Sequence, residues 1–94
     1  MSIFDKLKKG YSNWTVKSVE KMSDEDLDEV NSIKVFTGEY GKSCLLMLKS
    51  GVTRWLNFDR GSADRDVVTK EDLAKADIIT LGSEGQKDIY RVKF

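Results

Sequence analysis

The chain has 94 residues, sixteen of them basic and sixteen acidic, so its formal charge is zero. That length gives one domain, residues 1–94, with a modest core. With no histidine and a single cysteine, histidine acid–base chemistry, a Cys/His zinc site and an intramolecular disulfide are excluded.

The elements follow in chain order. In residues 1–10, Ile3, Phe4 and Leu7 recur at helical spacing, Lys6, Lys8 and Lys9 follow Asp5, and Gly10 ends the run. This predicts a short amphipathic N-terminal helix capped by Ser2. It plugs one side of the core or meets a partner or membrane surface; its one and a half apolar turns bury little, which favours the plug. Its sequence lacks the apolar stretch of a secretory signal, and no run approaches the roughly 20 residues of a membrane span. The expected compartment is the cytoplasm, of a cell or of an infected host.

Residues 14–22 read as a strand, with Trp14, Val16, Ser18, Glu20 and Met22 on one face. Residues 23–31 form an acidic loop or a single helical turn, with Ser23 placed as a cap. Its acids are Asp24, Glu25, Asp26, Asp28 and Glu29. The strongest β signal follows in residues 32–59: a strand at 33–36, a glycine-bracketed turn, the apolar strand 43–49, a Ser50-Gly51 hairpin and the strand 52–58. Leu45, Leu46, Met47 and Leu48 are apolar on both faces, so part of the outer face requires cover. A polar loop leads to a short helix capped by Thr69. Strands at 78–81 and 87–94 complete the chain. The expected architecture is mainly β: a small five-stranded, OB-like antiparallel barrel over residues 32–94, with one short helix before the last hairpin.

Charge is unevenly distributed. Residues 23–31 carry five acids and no base, which leaves the rest of the chain at +5. Neutral totals therefore still allow a local positive groove.

The motifs of catalysis are missing. There is no GxxxxGK[ST] or GxGxxG, and GEYGKS at 38–43 falls in a hairpin with the wrong spacing. Asp24, Asp26 and Asp28 alternate as in a calcium loop, but the loop glycine and the distal glutamate are absent. Cys44 sits among leucines and reads as a core residue, the alternative being a reactive thiol. The expectation is a non-catalytic protein with no metal and no cofactor.

What remains is an aromatic–basic pattern on the central strands. Phe36, Tyr40, Trp55 and Phe58 alternate with Lys34, Lys42, Lys49, Arg54 and Arg60. Bases stack on aromatic rings, and lysine or arginine beside them meets phosphate. If Val52, Leu56 and Phe58 face the core, Trp55 faces water beside Thr53 and Asn57. The same alternation puts Arg54 on the core face, which a bulge or strand end must relieve.

The order KVFTGEYGKSCLLMLKSG, TRWLNF, DLAKADIITL, GSEGQKDIYRV resembles small phage-type single-stranded DNA-binding proteins of the OB class, over about two-thirds of the chain. The resemblance implies cooperative coating of exposed single strands, with Phe36, Tyr40, Lys42, Arg54, Trp55 and Phe58 lining the binding sheet. Many members end in an acidic tail, whereas this sequence ends RVKF. The expected site adds Lys49 and Arg60 to those residues. The competing expectation is a small phage or mobile-element module that inhibits or adapts a host complex, with Asp24, Glu25, Asp26, Asp28 and Glu29 as the contact surface. A strand edge would also admit a homodimer.

Overall fold

The computed structural model describes residues 14–39 and 41–94. The expected helix at residues 1–10 and the expected ligand contact Tyr40 lie outside the described residues. The elements are β1 (Thr15–Glu20), α1 (Asp24–Glu29), β2 (Val30–Gly38), β3 (Gly41–Leu48), β4 (Thr53–Phe58), α2 (Lys70–Lys75), β5 (Asp77–Gly82) and β6 (Ile89–Lys93). The protein is mainly β. Its strands form one six-stranded sheet in the order β1-β5-β6-β4-β3-β2. All neighbours are antiparallel except β4 and β6, which run parallel.

Local chemistry explains the elements. Ser23 caps α1 by accepting from the Asp26 amide at 3.1 Å, so the acidic stretch folds as a helix of six residues. Thr69 and Asp72 form a reciprocal capping box on α2, at 3.1 and 3.0 Å. Asp72, held by the Thr69 amide and hydroxyl, lies below the usual carboxylate range. Between β3 and β4 the chain reverses through Gly51, whose φ of +88° only glycine adopts without strain. Lys21 binds the α2 end, donating to the Lys75 carbonyl at 2.6 Å and pairing with Asp77 at 2.8 Å.

The core lies on one face of the sheet. Its buried members are Val30, Cys44, Leu46, Leu56, Val68, Leu73, Ala76 and Val92, with Phe58, Ile78 and Phe94 packed against them. Leu73 of α2 is fully buried, so this short helix is held by one apolar residue pressed onto the strands. The loop at 59–69 closes over the end of β6. Phe94 donates its amide to Ser62 Oγ at 2.9 Å, and Ala63 donates to the Phe94 carbonyl at 3.2 Å.

Four expectations change. The sheet is mixed where an antiparallel one is expected, because β4 and β6 run parallel. The sheet has six strands instead of five, and its edges β1 and β2 do not pair with each other, so the ladder stays open. In the chain, α1 lies between these two edge strands. The facing of β1 also differs: a register shift between Val16 and Ser18 places Val16 opposite Leu81 and Val19 opposite Ile79, on one face. Finally, β2 runs over nine residues from Val30, beginning well before residue 33.

Leu73→Ala should lower stability by about 2–5 kcal/mol, because a void opens where no other side chain can reach. Thr69→Ala should cost about 1 kcal/mol through the lost cap. Urea unfolding followed by circular dichroism measures both; a Leu73 variant as stable as the parent contradicts this packing.

Candidate nucleic-acid interface

Strand alternation decides which side chains can meet a ligand. Cys44, Leu46 and Leu56 point into the core, so their neighbours Ser43, Leu45, Trp55 and Asn57 point out. Trp55 faces away from the core and is 54% exposed. Phe36 joins it from β2 at 44% exposure. The two reach diagonally across β3, since Phe36 pairs with Ser43 and Trp55 with Leu45. Their ring centroids stand 5.5 Å apart with the planes tilted by 47°.

Two cross-strand rows define the surroundings. In one, Lys34, Leu45 and Trp55 lie abreast on β2, β3 and β4. In the other, Phe36, Ser43, Asn57, Arg91, Ile79 and Val19 cross all six strands. Ser43 donates to Asn57 Oδ1 at 3.0 Å, which fixes the amide and turns its NH2 group outward as a donor. Arg91 stands 3.8 Å from Asp59, a loose pair at the rim. Arg60 and Arg91 both line a depression of about 450 Å³ that reaches Ser43 and Asn57. The patch thus joins two exposed rings to a polar hollow that carries Arg60 and Arg91, with Glu39 also in its wall. It is confined to β2, β3, β4 and β6; on β5 the outward-facing Leu81 is only 5% exposed.

The other expected site residues scatter. Phe58 lies on the core face of β4 and packs edge-on against Phe94 at 5.3 Å. Arg54, paired with Leu46, is also on that face. The strand end relieves it: the side chain is exposed, and its guanidinium donates to the neighbouring Thr53 carbonyl at 3.4 Å. Lys49 follows β3 and gives its amide to the Glu29 carbonyl at 2.9 Å. Lys42 has turned toward the 59–69 loop, where its ammonium meets Asp64 and Asp66 at 2.6 Å each. Hydrogen bonds to both carboxylates raise the Lys42 pKa, and the same contact lowers that of Asp66. This ammonium is neutralised and serves as a loop anchor. Among the described residues of the expected set, Phe36 and Trp55 lie on the outward face and Arg60 borders it, while Lys42 and Phe58 reach only the wall of the adjoining hollow.

Sequence reasoning passed over Ser43, Asn57 and Arg91 as contacts. Asn57 alternates with Trp55 and was within reach of the period-two argument. Arg91 was not, because its place depends on the parallel β4–β6 pairing, 34 residues apart at Asn57 and Arg91. The lone thiol takes no part: Cys44 is fully buried, and burial pushes it up to about 11, so it stays protonated near neutrality. Among the described residues no cluster of three metal-ligating side chains occurs, and no helix is long and apolar enough to cross a membrane.

Comparison with protein-family models, with curated proteins and with solved structures finds no match for this chain.

The loop anchor has a definite pH dependence. Asp66 has a lowered folded pKa, so its contribution is present above the ordinary aspartate value of about 3.9 and is lost as pH falls through the lowered one. Lys42 has a raised pKa, so its contribution is lost only as pH climbs past the lysine range. Limited proteolysis should show the loop at 59–69 protected at neutral pH. Lys42→Met should speed its cleavage severalfold without changing the circular dichroism spectrum. Equal cleavage of variant and parent contradicts the anchor.

Proposed function

We propose that this protein binds single-stranded nucleic acid, DNA first, without catalysis, on the outward face of β2, β3 and β4. The carrying observation is the Phe36–Trp55 pair, two exposed rings in contact on a sheet whose other face holds the core. Exposed aromatic rings on strands are stacking platforms for bases of any sequence. Lys34, Arg60 and Arg91 supply cations within the same patch, and Asn57 and Ser43 supply polar contacts. The footprint suits a few nucleotides of one strand; its rings would stack on splayed bases, which a duplex keeps inside.

The topology supports an OB-like reading. If β1 and β2 are the two halves of one first strand interrupted by α1, five strands remain and α2 follows the third of them. The halves then lie on the two edges of the sheet, where a long curved strand would close a barrel. The third and fifth strands of that count are β4 and β6, the parallel pair. In OB folds oligonucleotides lie across the outer face of strands two and three, which correspond here to β3 and β4 and carry Leu45 and Trp55. This agrees with the resemblance to phage-type single-stranded DNA-binding proteins.

Titration with poly-dT at low salt, followed by tryptophan fluorescence, tests the proposal. Trp55 should be quenched, while half-buried Trp14 supplies a constant background. Trp55→Ala should weaken binding by about tenfold or more, as expected from a stacking contribution of about 1–3 kcal/mol per base. Affinity should fall with salt at about 0.7 log units per log unit for each phosphate neutralised, and Lys34→Ala with Arg91→Ala should flatten that slope. Absence of binding at micromolar protein, or full binding by the Trp55 variant, overturns the proposal.

A further inference from the structure

A second recess lies on the opposite face of the sheet, under α1. Its volume is about 350 Å³, near the lower end of sites that take small ligands, about 300–1,000 Å³. Leu46, Leu48, Leu56 and Ile78 form its floor, with Met22 at the side. Asp26 and Glu29 of α1 stand on one rim, three residues apart and so on one side of the helix. Arg54 and Tyr90 stand on the other. Tyr90 is 40% exposed although it sits on a core-side strand position, because nothing among the described residues covers it.

Charge selects the occupant. All five acids at 24–29 lie on or within α1, and none forms an ion pair with another described residue. The helix has no base in its last turn to offset them. An apolar floor beside an acidic helix that no other described residue neutralises is complementary to an apolar side chain flanked by lysine or arginine. Arg54 opposite adds a carboxylate-binding group that would set the direction of the bound segment.

We propose that this recess docks a cationic, amphipathic peptide segment of a protein partner. One bulky apolar side chain enters between α1 and the strands. Its flanking lysine or arginine residues meet Asp26 and Glu29. The occupant is a peptide rather than a nucleic acid, since phosphates would face the α1 carboxylates. This inference stands independently of the nucleic-acid reading, because the two surfaces lie on opposite faces of the sheet.

The test uses the full chain and three labelled ten-residue probes, read by fluorescence anisotropy. One alternates lysine pairs with leucine pairs, one replaces leucine by serine at the same charge, and one replaces lysine by glutamate. The lysine–leucine probe should bind with micromolar affinity, the lysine–serine probe at least tenfold more weakly, and the glutamate probe not at all. Asp26→Asn with Glu29→Gln should weaken the first probe about tenfold, and so should Tyr90→Ser. Trp55→Ala should leave it unchanged, while the acid variants should leave poly-dT binding intact or tighter. Equal binding of the leucine and serine probes, or no effect of the α1 variants, overturns the proposal. A dimer in sedimentation that the α1 variants abolish also overturns it, by assigning the recess to a second copy.

Discussion

The structure depends on the one-sidedness of its sheet. Cys44, Leu46, Leu56 and Val92 are committed to a single face by burial against α2 and the loop before it. With a period of two, that commitment turns Ser43, Trp55, Asn57 and Arg91 to the other face. A one-residue slip of β4 would exchange Leu56 for Trp55 in the core and leave a leucine in water. The exposure of the indole is thus a consequence of how the leucines pack. A protein that leaves two aromatic rings in water has left apolar surface available for contact.

The two faces also divide the charges. Lys34, Arg60 and Arg91 are the cations beside the rings, with Glu39 and Asp59 as the acids at the rim, and Lys42 is withdrawn into the 59–69 loop. Asp26 and Glu29 of α1 stand against the core side of the sheet. A formal charge of zero thus hides a separation that each face can use. The parallel pairing of β4 with β6 matters here, because it alone brings Arg91 beside Asn57 and widens the hollow.

Much of this was legible in the sequence, and the limits have physical causes. Alternation in VTRWLNF placed Trp55 outside and Leu56 inside, and the same rule flagged Arg54, whose strand end resolves the conflict. Thr69 announced its helix because capping is a local interaction, whereas Ser23 is compatible with either an acidic loop or a helical turn, and the structure forms α1 there. The β1 facing was misread because a bulge between Val16 and Ser18 breaks the period and leaves no mark in residue type. Lys42 belongs to the expected site by residue type, and Phe58 does so although alternation already sets it with Leu56 on the core face. Packing on Phe94 and pairing with Asp64 and Asp66 are long-range choices that local pattern does not encode. Closure into a barrel likewise depends on whether the edge strands β1 and β2 meet, which the pattern of each strand taken alone does not encode.

The central claim is that the outward Phe36–Trp55 face is where a single strand lies. The most direct measurement is a heteronuclear NMR titration of the full chain with a short oligo-dT. The Trp55 indole N–H and the amides of Phe36, Ser43, Asn57 and Arg91 should shift together, while those of Cys44, Leu73 and α1 stay in place. Shifts confined to α1 or to the Trp14 indole, with the Trp55 signal unmoved, would contradict it.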